Sequence, residues 1–247
     1  MLKIFAITQI RYSSSRLPGK VLKRFGNTTF LDVLLRRLNR IKSIDGVICA
    51  IANEDGNNKI IQIAKKNNCK IYIGSKENVL FRMLNAGIKY NADILLRVTS
   101  DCPLIDPIVC DKVINKLIKG NYDYVSNNLK PSFPHGLDCE AFYISGLKKS
   151  KLEFKKTKNK LIKEHVTYFL KRNIAFKKFN IRSNIPLTRY ERWTLDNSTD
   201  LKFFNELSKH LSSKEIVNLD WQSLLNIINK NPKLQKINNT THHFWFD

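Results

Sequence analysis

Short apolar segments and amphipathic segments alternate along the first 130 residues of the chain. The apolar segments have the length and composition of buried strands, and they cover residues 3–7, 47–52, 70–73 and 93–99. The amphipathic segments repeat apolar residues at helical spacing, and they cover residues 29–41, 57–67, 77–90 and 107–119. Strand–helix alternation with short connections predicts an α/β fold, in which helices cover both faces of a mainly parallel sheet.

The pattern changes near residue 130, after a fifth predicted strand at 122–126. We predict a strand at 137–145, a lysine-rich solvated helix or loop at 148–163, a helix at 163–172 and a strand at 175–181. Helical spacing returns at 201–211 and 221–228. Because no linker separates two units, we predict one domain over residues 1–247, with 130–190 as an inserted region.

The net charge of the chain favours some classes of binding partner but does not identify one. The net charge of +22 favours polyanions, which include nucleic acid, a phosphorylated ligand and an anionic membrane surface. A general excess of lysine on the surface explains the same number, so charge alone does not identify the function. The sequence contains no run of 18 apolar residues, so it predicts no membrane-spanning helix. The five cysteines form no CxxC pair, which argues against a disulfide framework or structural zinc and favours a cytoplasmic location.

The loop after the first predicted strand carries the strongest functional signal. Residues 9–20 read QIRYSSSRLPGK and combine three cations, three consecutive serines and a Pro-Gly turn. Hydroxyl and N–H dipoles together with cationic side chains are suited to bind a triphosphate. Neither a Walker motif nor a dinucleotide fingerprint is present, and an ordinary polar loop is the alternative. Ligands of open α/β sheets bind at this end of the strands.

This loop resembles the N-terminal signature of the sugar cytidylyltransferases, whose usual form is close to IQARMGSSRLPGKVL. The family includes the 3-deoxy-manno-octulosonate and acylneuraminate enzymes, and the spore-coat-polysaccharide type is the most similar branch. The segment SSRLPGKVL, residues 14–22, matches as it stands. Ile10, Tyr12 and Ser13 replace the usual Ala, Met and Gly, and the lost glycine reduces the freedom of the loop.

The resemblance implies a three-layer Rossmann-like nucleotidyltransferase fold that binds CTP. Residues 74–82, GSKENVLFR, are similar to the family segment GSEDDVLDRY, although Phe81 stands where the family has Asp. An exposed helix cation is the alternative for the arginine of this segment. The implied nucleotide-binding residues are Gln9, Arg11, Ser14, Ser15, Arg16, Lys20, Ser75 and Arg82.

Two aspartates are the predicted metal ligands. Asp101 follows the apolar strand 94–98 in a segment that resembles RITGDCPLIDP, and a carboxylate there is suited to Mg²⁺. Asp106 precedes Pro107 and is predicted to cap a helix. The segment 193–201 resembles LTVDTPEDF, which implies that Asp196 completes the metal site. We expect Ser198 or Thr199 to cap the following helix.

Four further residues are predicted to bind the sugar. Asp138 and Glu140 lie in a segment that resembles GLDVEVF, and alternation places both on one strand face. One of them could deprotonate the acceptor, and an exposed strand face is the alternative. Asn127 matches the family's VSN, and His165 matches its EHVT. A packed helix histidine is the alternative for His165.

The sequence therefore predicts an enzyme that couples CTP to a sugar or sugar acid and releases pyrophosphate, for surface polysaccharide or glycan biosynthesis. Arg16, Lys20 and Asp101 are the predicted catalytic residues, and Mg²⁺ is the expected cofactor. The resemblance implies a homodimer that pairs through residues 130–190, with no specific nucleic-acid partner.

A glycosyltransferase and a nucleic-acid-binding module are the two alternative functions. A glycosyltransferase would more often show a DxD motif where this chain has Ser100-Asp101-Cys102. A nucleic-acid-binding module is the second rival, but the sequence has neither a helix-turn-helix signature nor an interleaved aromatic platform. His242-His243 is a weak metal signal. We expect the aromatic tail 238–247 to pack against the body or a partner subunit.

Overall fold

A computed structural model describes residues 1–237 of the chain. The predictions for the tail, including the weak metal signal of His242-His243, lie outside these described residues. Within residues 1–237 no helix is long and apolar enough to cross a lipid bilayer.

The strands form one seven-stranded sheet and a separate two-stranded hairpin. In chain order they are β1 (Ile4–Ile10), β2 (Arg24–Phe25), β3 (Thr28–Thr29), β4 (Gly46–Ala52), β5 (Lys70–Gly74), β6 (Ile94–Arg97), β7 (Tyr124–Ser126), β8 (Glu140–Tyr143) and β9 (Lys178–Asn180). The large sheet has the order β5-β4-β1-β6-β8-β7-β9. Its pairs are parallel except for those of β8, which is antiparallel to both β6 and β7.

Helices occupy both sides of this sheet. The first six are α1 (Phe30–Leu38), α2 (Asn58–Lys66), α3 (Val79–Lys89), α4 (Pro107–Lys119), α5 (Ile144–Thr157) and α6 (Lys160–Glu164). The next five are α7 (Tyr168–Arg172), α8 (Ser198–Leu207), α9 (Ser213–Asn218), α10 (Trp221–Asn229) and α11 (Pro232–Ile237). The predicted three-layer α/β fold with a mainly parallel sheet is therefore confirmed.

Alternation along the strands separates two buried cores. In β1, Ala6 and Ile10 belong to one apolar cluster, whereas Phe5 and Ile7 belong to the other. The first cluster packs against α1, α4, α8 and α10, and the second packs against α3, α5 and α7. Because successive side chains of a strand point to opposite faces, one apolar strand supplies both cores.

Several predicted boundaries are wrong. The predicted strand at 137–145 covers only β8, since α5 already begins at Ile144, and the predicted helix at 163–172 is divided between α6 and α7. The division lies at His165, whose φ of −99° and ψ of 90° end α6. The β-branched residues Val166 and Thr167 follow, and such residues weaken helices. Of the elements that the sequence did not predict, α9 and α11 lie near the end of the described chain.

Candidate active site

A polar cleft of about 600 Å³ opens at the carboxyl ends of β1 and β6. The phosphate loop, which we define as residues 11–20, forms one wall of this cleft. Seven of the eight predicted nucleotide-binding residues line it, and they are Gln9, Arg11, Ser14, Ser15, Arg16, Lys20 and Arg82. Asp101 and Asp196 line the same cleft, so the predicted cations and the predicted carboxylates face one space.

A tight backbone turn shapes the end of the phosphate loop. Gly19 has a φ of 62°, a left-handed conformation that favours glycine, and its N–H donates to the Tyr12 carbonyl at 3.1 Å. A Cβ atom built on Gly19 would lie 3.4 Å from the Tyr12 ring, so the ring closes against the turn. The short 3₁₀ turn Lys20–Leu22 then begins and directs Lys20 into the cleft.

Lys20 lies between the two predicted metal ligands. Its Nζ atom is 2.9 Å from Asp196 Oδ1 and 3.3 Å from Asp101 Oδ2. Burial opposes the charge of Lys20, but attraction to Asp101 and Asp196 outweighs it and raises the pKa of the ammonium group. Burial likewise opposes the charge of Asp101, yet the pKa of this carboxyl is lowered because Lys20 stabilises the ionised form.

Arg16 is the exposed cation of the loop. Its guanidinium lies 3.3 Å from Asp196 Oδ1, and 70% of its side chain is accessible to solvent. An exposed ion pair of this kind contributes little to stability. Arg16 can therefore turn towards a phosphate without a large cost to the fold.

Backbone contacts bring Asp196 next to Asp101 although 95 positions separate them. The Leu195 N–H donates to the Asp101 carbonyl at 2.8 Å, and the Thr194 hydroxyl donates to the same carbonyl at 3.2 Å. The prediction that Ser198 or Thr199 caps α8 is wrong.

Asn197 caps α8 instead, in a capping box with Asp200. Arg192 holds Asp200 through two short bonds of 2.7 and 2.8 Å. The cap therefore uses neighbours of Asp196 and leaves its carboxylate facing the cleft.

The two carboxylates form a partial cation site. Both contact the same ammonium group, so one positive charge already fits between them. Among residues 1–237, no group of three or more His, Cys, Asp or Glu side chains is placed to hold a metal ion. A site with two carboxylates suits Mg²⁺, which takes its other ligands from water and substrate phosphates. The residues present therefore fit this ion.

Of the predicted pair Arg82 and Ser75, only Arg82 lines the cleft. Arg82 lines the cleft but is only 3% exposed, and its NH1 atom donates to the Ser75 carbonyl at 2.5 Å. Burial lowers the pKa of Arg82 to about 10, so the side chain stays charged at neutral pH. The alternative of an exposed helix cation is wrong. The Ser75 hydroxyl accepts the Asn78 N–H at 3.0 Å and shapes the turn before α3.

Glu54 organises the phosphate loop, and the sequence did not predict it. Its carboxylate accepts the Tyr12 N–H at 2.5 Å, the Ser13 N–H at 3.1 Å and the Ser13 hydroxyl at 2.5 Å. Lys76 lies 3.1 Å from the same carboxylate. Burial opposes ionisation of Glu54, but the bonds from Ser13 outweigh it and lower the pKa. Glu54 follows β4, which is the parallel neighbour of β1. The sequence therefore offered one sign of its role, because residues that follow neighbouring parallel strands lie at the same edge of the sheet.

Three of the four predicted sugar-binding residues border a second, connected cleft of about 390 Å³ that shares Asp101 and Asp196 with the first. We call it the acceptor cleft. Asp138, Glu140 and His165 line it. His165 is exposed at the end of α6, so the packed-histidine alternative is wrong. Burial raises the pKa of Asp138, although His135 at 3.8 Å opposes the shift.

Glu140 is buried among cations rather than placed on an exposed strand face. It is 2% exposed, and its carboxylate pairs with Arg97 at 2.6 Å and with Lys171 at 2.5 Å. Tyr124 and Thr167 donate their hydroxyls to it as well. Burial opposes ionisation, but Lys171 and Arg97 hold the pKa of Glu140 far below its usual range. Arg97 also donates to Gln9 at 3.3 Å, which connects both clefts.

Asn127 positions the segment that carries Asp138. Its amide donates to the Leu137 carbonyl at 2.7 Å and accepts the Cys139 N–H at 2.9 Å, and the residue is 2% exposed. Direct contact with a sugar stays a prediction for Asn127. Lys160, Lys163 and His165 also line the first cleft, which the prediction of a solvated lysine-rich segment did not anticipate.

Comparison with known proteins identifies the family. A sequence profile described as cytidylyltransferase matches residues 5–222. The chain is 34% identical to protein MJ1063 of Methanocaldococcus jannaschii, whose function is uncharacterised, over 96% of this chain and 95% of that one. It is 30% identical to the spore coat polysaccharide biosynthesis protein SpsF of Bacillus subtilis, over 49% of this chain and 52% of that one.

Solved structures match the fold closely. A cytidylyltransferase from Leptospira borgpetersenii serovar Hardjo-bovis superposes with a TM-score of 0.88 at 31% identity, covering 98% of this chain and 100% of that one. A CMP:2-keto-3-deoxy-manno-octonic acid synthetase complexed with CTP has a TM-score of 0.61 at 14% identity, covering 85% of this chain and 100% of that one. At this identity the second likeness shows the fold alone.

Proposed function

The chain belongs to the cytidylyltransferase family, and on this premise we propose that it transfers the cytidylyl group of CTP to a hydroxyl of a sugar or sugar acid. Pyrophosphate is the second product. One observation carries the proposal: Lys20 Nζ lies 2.9 Å from Asp196 and 3.3 Å from Asp101, in a cleft that Arg11 and Arg16 also line. Cations for a polyphosphate and carboxylates for a metal ion thus face one another.

The phosphate loop binds the triphosphate and stabilises the leaving group. Negative charge grows on pyrophosphate as its bond to the α-phosphorus breaks, and Arg16 and Lys20 supply opposite charge there. Arg11 extends this positive wall, and the hydroxyls of Ser14 and Ser15 add donors. Catalysis by these residues is positioning combined with electrostatic stabilisation.

Asp101 and Asp196 are the residues that would hold Mg²⁺. When bound, this ion would neutralise charge on the phosphates and orient them. The position of Lys20 supports this assignment, because its ammonium group lies 2.9 Å from Asp196 and 3.3 Å from Asp101 and the pair thus accommodates a positive charge.

The acceptor cleft holds the sugar. An acceptor hydroxyl attacks the α-phosphorus, a new O–P bond forms, and the bond to pyrophosphate breaks. Asp138 lines this cleft and has a raised pKa, which suits it to take the hydroxyl proton. The relative SpsF, named for spore coat polysaccharide biosynthesis, supports a role in polysaccharide or glycan synthesis.

We also propose a homodimer that pairs through residues 130–190. Three large apolar side chains of this region are exposed, with Leu152 58%, Leu161 44% and Ile174 97% accessible. A subunit interface would remove these side chains from water, which supports the proposal. Sedimentation equilibrium would test this, and a monomer at micromolar concentration would contradict it.

A nucleotide panel tests the proposed function directly. CTP, UTP, GTP and ATP are each added with Mg²⁺, and the thermal midpoint is measured. A ligand at a hundred times its Kd stabilises the native state by about 2.7 kcal/mol, which is measurable as a rise in midpoint. We expect the largest rise with CTP, and pyrophosphate release once a suitable acceptor is added. A larger rise with another nucleotide, or transfer from a sugar nucleotide without pyrophosphate release, would contradict the proposal.

A further inference from the structure

The first cleft and the acceptor cleft meet at a small set of residues. Within residues 1–237, five residues line both clefts: Arg97, Thr99, Asp101, His165 and Asp196. The two aspartates are the proposed metal ligands, and His165 is exposed. Because the acceptor hydroxyl attacks the α-phosphorus of CTP, the reacting atoms belong at this junction, and Arg97 is its permanent cation.

The fold holds Arg97 between the two strands that flank β6. Arg97 is the last residue of β6 and lies directly opposite Glu140 of β8. Its NH1 atom donates to Glu140 Oε2 at 2.6 Å, and its Nε atom donates to Gln9 Oε1 of β1 at 3.3 Å. Since a guanidinium group is planar and rigid, these two contacts fix the orientation of the whole group.

One nitrogen of Arg97 is left for a ligand. A guanidinium group carries its five N–H donors on three nitrogens, and the contacts with Gln9 and Glu140 use Nε and NH1. The NH2 atom makes no hydrogen bond with any group of residues 1–237. Only 15% of the side chain is accessible to solvent, so a bond from NH2 to a phosphate oxygen would form in a site largely shielded from water.

The positive charge of Arg97 is not cancelled by its partner. Glu140 also pairs with Lys171 at 2.5 Å, so one carboxylate balances two cations. Tyr124 and Thr167 donate neutral hydroxyls to the same carboxylate and do not change this sum. The cluster therefore keeps one excess positive charge, which favours an anionic group at the junction.

We propose that Arg97 binds a non-bridging oxygen of the α-phosphoryl group of CTP through NH2. This inference rests on the proposed function and adds a catalytic residue to it. During transfer the new O–P bond forms, the bond to pyrophosphate breaks, and the hydroxyl proton passes to Asp138. Arg97 neither gains nor loses a proton. It stabilises charge on the phosphoryl group itself, whereas Arg16 and Lys20 stabilise charge on the leaving group.

Two matched variants separate contact with CTP from support of Glu140. Arg97→Met and Lys171→Met each remove one of the two cations that pair with Glu140, and both introduce the same side chain. Of the two clefts, Lys171 lines only the acceptor cleft, whereas Arg97 lines both. A role through Glu140 alone therefore predicts equal effects of the two variants on nucleotide binding. Direct contact with the α-phosphoryl group predicts an effect of Arg97→Met only.

Calorimetry without acceptor measures the Kd of CTP and of its two α-phosphorothioate diastereomers, with and without Mg²⁺. In each diastereomer sulfur replaces one non-bridging oxygen, and sulfur is a weaker hydrogen-bond acceptor. We expect the unmodified protein to bind one diastereomer about tenfold more weakly than the other, as the loss of one charge-assisted hydrogen bond predicts. Arg97→Met should bring this ratio close to one, and Lys171→Met should retain it.

The ratio compares two ligands on one protein, so partial unfolding of a variant does not alter it. If Arg97→Met does not fold, Arg97→Lys replaces it, because lysine keeps a cation beside Glu140 but lacks the NH2 donor. A ratio that the Arg97 variant removes and Lys171→Met retains supports the proposal.

Three results would overturn the proposal in a protein that binds CTP. The first is a ratio near one in the unmodified protein. The second is a ratio that the Arg97 variant leaves unchanged, or that both variants remove equally. The third is a ratio that depends on Mg²⁺ and not on Arg97, which would assign the oxygen to the metal ion. If the unmodified protein does not bind CTP, the proposed function is refuted, and this inference with it.

Discussion

The ammonium group of Lys20 lies 2.9 Å from a carboxylate oxygen of Asp196, although 176 positions separate the two residues. The contact joins the loop after β1 to the segment that precedes α8. It places the cation that we propose for the leaving phosphates beside a carboxylate that we propose for the metal ion. The arrangement therefore links the two halves of the proposed chemistry.

Replacing Lys20 should strongly reduce the rate of transfer. We expect Lys20→Met to lower kcat about a hundredfold, because the leaving pyrophosphate loses a buried positive charge. Steady-state pyrophosphate release measures this. Lys66→Met, on the exposed surface of α2, is the control and should keep normal turnover. Unchanged turnover of Lys20→Met would show that the phosphate loop is assigned wrongly.

Replacing Asp196 should uncouple nucleotide binding from the metal ion. We expect Asp196→Asn to lower kcat at least about a hundredfold and to remove most of the Mg²⁺ dependence of CTP affinity, because one of two carboxylate ligands is lost. Titrations of CTP with and without Mg²⁺ measure this. Asp55→Asn is exposed and serves as the control. An Mg²⁺ dependence equal to that of the unmodified protein would contradict the two-carboxylate site.

Glu54 and Ser13 should act as one unit on the phosphate loop. We expect Glu54→Gln to weaken CTP binding about tenfold, because the hydroxyl of Ser13 and the ammonium of Lys76 both lose an anionic partner. Ser13→Ala should weaken binding less, and the double variant should be no worse than Glu54→Gln alone. Calorimetric Kd values for the four proteins give the coupling. Strictly additive effects would mean that the contact does not order the loop.

Glu140 should make the fold sensitive to acid. Its pKa in the native protein lies far below the ordinary 4.5, so the unfolded chain binds the proton more readily. The stabilisation is complete above pH 4.5 and is lost as the pH falls from there towards the lower native value. At pH 7, Glu140→Gln should lower the free energy of unfolding by about 3 kcal/mol, because Arg97 and Lys171 lose their buried anionic partner.

Urea unfolding at pH 7 and at pH 3.5 measures this prediction. The difference in free energy of unfolding between the unmodified protein and Glu140→Gln should be smaller at pH 3.5 than at pH 7. Glu77→Gln, which is exposed before α3, should match the unmodified protein at both values. A difference that stays constant with pH would show that Glu140 acts only through packing.

The fold and the phosphate loop could be predicted because their signals are local. Apolar alternation over a few residues indicated strands that supply both cores, and helical spacing indicated the covering layers. The run of cations and serines after β1 and the aspartate after β6 lie at the same edge of the sheet, as parallel strands require. Asp106 is the N-cap of α4, as its position before Pro107 predicted.

Contacts between distant segments could not be predicted in this way. Glu54 binds a loop some 42 positions earlier, Glu140 is buried against Arg97 43 positions away, and His165 interrupts a segment whose spacing favoured one helix. Nothing in the composition of residues 131–135 or 183–191 indicated that together they enclose an apolar cavity.

The amino-acid sequence alone determined the layered sheet, the cations and hydroxyls of the phosphate loop and the residues that resemble the family. Periodicity and turn residues act within a few positions of the chain, so these features depend on residues that are close together in the sequence. Only the tertiary structure decided which cation lies between Asp101 and Asp196, how Glu54 holds the loop and where the two clefts meet. Those features depend on how segments far apart in the chain cross the edge of one sheet, and no local pattern encodes that path.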